Sequence, residues 1–175
     1  LWDIKGKHLD VPVWELLGGN CRDKIRLHLL ADQPNPEAMY QAAKSAVSEG
    51  FTAIKFDPLV DGFQDMTQDQ MIKSVRDIVA AARSGGGSGL DLIAEVHRKL
   101  SPMNSIALAE HLAEFNLYFI EDPIQIDSIT TQGEMAKRIN IPIGNGERLT
   151  TIWEFRELLH AGVDANAAEW LARGL

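Results

Sequence analysis

At 175 residues, 45% apolar and 24% charged, the chain has the size and balance of a soluble globular protein with one sizeable core. A formal net charge of -8 argues against a nucleic-acid surface and provides no polybasic membrane patch. No apolar run approaches the roughly 20 residues of a membrane span, and the single cysteine, Cys21, excludes an internal disulfide and points to a reducing, cytoplasmic setting.

The chain opens on a helix-like stretch, LWDIKGKHL. Residues 24–30 (KIRLHLL) read as a strand, and NPEAMYQAAKSAVSEG as a helix with Pro36 early and Gly50 at its end. FTAIKFDP is a strand stopped by Pro58. The next helix opens on Thr67 as N-cap and spaces Met71, Val75, Ile78 and Val79 along one face. GGGSG (85–89) reads as a flexible turn; it precedes a strand rather than opening a helix, so it is a poor phosphate loop. Then LDLIAEVH, LYFIEDP and IPIGNGE read as strands, each followed by a helix. Five βα repeats with strands apolar on both faces predict a parallel sheet, either doubly wound or part of a (β/α)8 barrel.

Three strand ends decide where chemistry lies. Glu95, Glu121 and Glu147 follow one another at intervals of 26 residues, close to the roughly 30 residues of one barrel unit. Equal spacing predicts one carboxylate per strand at equal height on the carboxyl edge, where parallel α/β folds bind ligands. Three converging carboxylates repel unless a cation sits among them. Oxygen donors without cysteine select Mg²⁺ or a similar hard ion. Period-two alternation pairs Lys55 with Asp57 and Glu95 with His97 on shared faces, so His97 points toward the metal-bound substrate. Each reading has a plainer rival. A lone strand-end Glu is usually a solvated rim, His97 would serve as a packing residue, and Lys55 would simply bridge Asp57 at the rim. A Schiff-base aldolase using Lys55 is a further competitor. His8, His28, His111 and His160 read as surface or packing residues, and Trp2, Trp14 and Trp153 as core or interface anchors.

LWDIKGKHLDVPVWELLGG, FTAIKFDP, EVHRKLSP, FIEDP and GERLTTIWEFRELL together resemble the enolase superfamily, in particular its mandelate racemase-like branch and the acid-sugar dehydratases (galactonate and mannonate dehydratase-like) within it. The resemblance implies a (β/α)8-type barrel, here of about five to six βα units. Residues 1–20 would be the end of an N-terminal capping domain or linker helix, and 21–175 the partial barrel. It implies Mg²⁺ held by Glu95, Glu121 and Glu147, and catalytic roles for His97, Lys55 and Asp57, with His97 as acid/base. Many relatives have Asp where this chain has Glu95. The racemases' second base lysine is replaced by Asp57, which suits a dehydratase; the alternatives are another epimerase or cycloisomerase of the superfamily, or a catalytically inactive barrel fragment with a binding or assembly role. The resemblance further implies an acid-sugar substrate, a homo-oligomer at full length, and an α-proton base on later strands.

Overall fold

The computed structural model describes residues 1–163. The tail ANAAEWLARGL, which reads as helical, lies outside the described residues. The chain begins with α1 (Trp2–Leu9) and α2 (Val13–Leu16). Five strands follow: β1 (Leu29–Leu30), β2 (Ala53–Phe56), β3 (Asp91–Glu95), β4 (Phe119–Glu121) and β5 (Ile143–Gly144). They form one parallel sheet in sequence order. After them in turn come α3 (Pro36–Ser48), α4 (Gln68–Gly86), α5 (Pro102–Leu112), α6 (Ile129–Ala136) and α7 (Ile152–His160).

The order separates the two candidate architectures. A doubly wound sheet reverses its strand order at a switch point and carries helices on both faces. Here the order runs 1-2-3-4-5 among the described strands. One continuous core joins Ile54, Phe56, Leu92, Ala94, Ile120 and Ile143 to the helices through Met39, Ile78, Leu108, Met135, Phe155 and Leu158. The helices therefore pack on a single face of the sheet, as in a barrel wall. The alternate strand positions face away from them. Lys55 lies opposite Ile93, Ile93 opposite Phe119, and Glu95 opposite Glu121.

Local chemistry places the helix starts. Asn35, Thr67, Ser101, Ser128 and Thr151 each accept from the N–H three residues on, satisfying donors that a helix end leaves unpaired. Each loop leaving a strand is thus pinned at its far end by a cap. Thr67 with Gln70, and Thr151 with Glu154, complete reciprocal capping boxes. The predicted apolar stripe of α4, Met71, Val75, Ile78 and Val79, is buried.

Several boundaries differ from expectation. GGGSG is not all turn: α4 continues through Gly85 and Gly86. A Cβ on Gly85 would lie 2.2 Å from the Tyr40 carbonyl oxygen, so glycine there lets α4 approach α3. Only two residues of KIRLHLL join the ladder, and Arg26 instead ties the segment to Thr52 and Asp91 through its side chain. IPIGNGE stops being a strand at Gly144, and Gly146 at φ 139° turns the chain out of the ladder. Trp2, Trp14 and Trp153 are not core residues; they are 50%, 50% and 61% exposed. Among the described residues no helix is long and apolar enough to cross a membrane.

Candidate active site

The carboxyl edge of the sheet is lined with acids. Glu95 and Glu121 end adjacent strands in direct register, both buried. The Lys55 ammonium lies between them, 3.1 Å from Glu95 Oε2 and 2.7 and 2.8 Å from the two Glu121 oxygens. Glu95 Oε1 accepts from the His97 N–H at 2.9 Å. Burial alone would raise the Glu95 pKa, but the adjoining Glu121, the His97 N–H and Lys55 together hold it below its ordinary value. For Lys55, burial pulls the pKa down, yet the bonds and charges of Glu121 and Glu95 outweigh it and leave the value raised. That is the wrong direction for a Schiff-base amine, which must be neutral to attack. The proposed Lys55–Asp57 rim bridge is also replaced, because Lys55 pairs with the glutamates instead.

Asp57 turns to the next loop. Its Oδ2 lies 2.8 Å from His97 Nδ1 and 2.5 Å from Lys99 Nζ, while Oδ1 accepts the Leu59 N–H at 2.9 Å. The Asp57 N–H in turn donates to Asp32 Oδ1 at 2.7 Å, so the end of β1 braces the end of β2. His28, just before β1, has its pKa lowered by partial burial and by the nearby Lys55 and Arg26 cations.

Glu147 sits elsewhere than its spacing predicts. Gly144, not Glu147, lies opposite Glu121. Glu147 is three residues further on, on the exposed loop, and pairs with Arg98. Arg98 also donates to buried Asp122 Oδ2 at 2.5 Å, and its N–H reaches the Asp122 carbonyl at 2.6 Å. Burial raises Glu147's pKa, but the Arg98 hydrogen bond and charge leave it lowered. His97, Arg98 and Asp122 all take left-handed backbone at φ 53°, 62° and 44°. Non-glycine residues there cost of order 1–3 kcal/mol each, and such outliers cluster at functional sites. Arg98 and Asp122 are the residues that sequence reasoning missed. The FIEDP and EVHRKLSP segments contain them, but nothing in their spacing shows that they bridge three loops.

Residues 38–168 match the family described as enolase C-terminal domain-like. The chain belongs to the enolase C-terminal domain-like family. The D-gluconate/D-galactonate dehydratase of Picrophilus torridus is 34% identical over 165 residues, covering 93% of this chain and 42% of that protein. A solved enolase superfamily member from Salmonella Typhimurium superposes with a TM-score of 0.84 at 31% identity, over 93% of this chain and 47% of its own. An enolase of the mandelate racemase subgroup from Agrobacterium tumefaciens gives 0.81 at 28% identity, over 93% and 44%. The chain therefore spans less than half the length of these relatives. The enolase-superfamily resemblance read from the motifs and the barrel-type fold class both agree with these matches.

The enolase-family edge has a donor set that suits a hard cation. Asp57, Glu95, Glu121, Asp122 and Glu147 bring carboxylate oxygens to this edge, each in an ion pair with Lys55, Arg98 or Lys99. The donors are oxygens, with no thiolate nearby, as Mg²⁺ prefers. Two of the three expected ligands already face each other. No three His, Cys, Asp or Glu side chains converge into a ready cage among the described residues; Lys55 pairs with Glu95 and Glu121, and Arg98 with Glu147.

Proposed function

We propose that this chain carries the metal-binding and acid/base edge of a Mg²⁺-dependent acid-sugar dehydratase. The observation that carries the reading is the in-register, buried pair Glu95 and Glu121 with His97 anchored beside it. The dehydratase names of similar proteins support the same class. The reaction removes a proton α to a substrate carboxylate, expels the β-hydroxyl as water and, after tautomerisation, leaves a 2-keto-3-deoxy acid.

Glu95 and Glu121 would hold the ion, with Glu147 as third ligand. Bound Mg²⁺ supplies electrostatic stabilisation to the charge that develops on the substrate carboxylate. His97 delivers the proton that lets the hydroxyl depart. Lys55 adds fixed positive charge between the two glutamates. The α-proton base that the resemblance places on later strands lies outside the described residues. The substrate is a small acid sugar, an aldonic or aldaric acid.

Calorimetric titration of the chain with Mg²⁺, followed by an acid-sugar panel scored for 2-keto acid formation, tests the reading. His97→Asn is expected to keep Mg²⁺ binding and to lower turnover by about 10²–10⁴-fold, the usual worth of a positioned acid. Failure of the wild-type chain to bind Mg²⁺ would refute it. A second reading, a binding element without turnover, is favoured by the way Lys55 and Arg98 already neutralise the carboxylates. Mg²⁺ and ligand binding with no keto acid formed would select it.

A further inference from the structure

The Asp57–His97 contact has a geometry that goes beyond proximity. Asp57 is held on three sides. Its Oδ1 accepts the Leu59 N–H, its own N–H is bound by Asp32, and its side chain is only 13% exposed. Its Oδ2 is therefore fixed in direction, 2.8 Å from His97 Nδ1. The same oxygen forms an ion pair with Lys99 at 2.5 Å, and a carboxylate in an ion pair can only accept hydrogen bonds. A neutral imidazole has one N–H and one bare nitrogen. Facing an obligate acceptor, Nδ1 must be the nitrogen that carries the proton.

We infer that Asp57 is a positioning residue that sets the tautomer and orientation of His97, leaving Nε2 as the ring atom that meets a ligand. The backbone reinforces this. His97 is in left-handed conformation at φ 53°, its N–H is tied to Glu95, and its side chain stays 45% exposed. Nε2 has no hydrogen-bond partner among the described residues. Asp57, Asp32 and Lys99 come from the ends of three different strands or their loops, so the ring orientation is a property of the assembled edge. The inference rests on the proposed acid/base role of His97 only for its catalytic meaning; the tautomer itself is a separate observable.

The test is two-bond ¹H–¹⁵N correlation NMR of the full chain, labelled at histidine, about two pH units above the ordinary imidazole pKa of 6.5. His97→Asn identifies the His97 signals by their loss. In the wild type, His97 is expected to show an N–H-type Nδ1 and a bare-nitrogen-type Nε2. In Asp57→Ala the two nitrogens are expected to exchange shift classes, toward the Nε2–H form. His111 is an internal control for folding, since its Nδ1 lies 2.7 Å from the Ala107 carbonyl, another pure acceptor, and should keep its Nδ1–H signature in the variant. A wild-type His97 in the Nε2–H form overturns the inference without recourse to any variant. So does an Asp57→Ala spectrum with His97 unchanged while His111 keeps its signature. If the tautomer behaves as expected but His97→Asn retains full turnover, the positioning stands and the dehydratase role of His97 fails.

Discussion

Replacing Lys55 by methionine removes the ammonium between Glu95 and Glu121 while keeping most of the side-chain volume. The glutamates' side chains are 6% and 4% exposed, and Lys55's is 19% exposed, so solvent screens the pair poorly. Breaking a buried ion pair by deleting one partner costs about 3–5 kcal/mol. The protein can limit that cost by protonating one carboxylate. Moving a group of ordinary pKa about 4.3 to neutrality at pH 7 takes some 2.7 units at about 1.36 kcal/mol each, a ceiling of about 3.7 kcal/mol. The expected loss is therefore about 3–3.7 kcal/mol. For a chain of this size that lowers the melting temperature by about 6–15 °C. Thermal unfolding with and without Mg²⁺ reads both halves of the argument. A divalent ion at a hundredfold over its Kd restores about 2.7 kcal/mol, and the variant should recover more than the wild type does. A melting temperature within about 3 °C of wild type, or no recovery with Mg²⁺, would refute the claim that these carboxylates need a cation between them.

Gly85→Ala tests the α3–α4 approach. Alanine is the better helix former by about 1 kcal/mol, but its Cβ would lie 2.2 Å from the Tyr40 carbonyl oxygen. Overpacking against backbone should win, with a net loss of about 1–3 kcal/mol in denaturant unfolding; a stabilised variant would show that α4 moves aside without cost. Arg83→Lys keeps the charge but loses the fork that donates to the Gly87, Leu90, Phe115 and Asn116 carbonyls. Unpaired, partly buried carbonyls predict a loss of about 1–3 kcal/mol, measured the same way. Glu154 titrates below the ordinary carboxylate range because the Thr150 N–H and the Thr151 hydroxyl and N–H favour its charged form. A depressed folded pKa means this capping contribution is present above the unfolded value and lost as pH falls through the folded one. Protection of the Thr150 and Thr151 amides, taken relative to their intrinsic exchange rates, should therefore fall only at acid pH, and in Glu154→Gln should lose that dependence.

The residues alone determined a good deal. Alternating apolar runs, Asn, Ser and Thr caps and breakers at Pro36, Pro58 and Gly50 specify βα repeats because they act within a few residues along the chain. The shared motifs EVHRKLSP and FIEDP carried the family, and with it Glu95, Glu121 and His97. Period-two alternation put Lys55 and Asp57 on one face of their strand and Glu95 and His97 on one face of theirs, since that rule needs no partner strand. What lay beyond local rules was register and partner choice. Spacing put Glu147 level with Glu121, but a two-residue β5 and the turn at Gly146 carried it onto a loop. It also left Lys55 and Asp57 as a pair, whereas the assembled edge divides them between Glu121 and His97. Arg98 joining Asp122 and Glu147 spans loops separated by 24 and 49 positions. Which opposite charges meet across such distances depends on how strands are laid side by side, and only the folded sheet decides it.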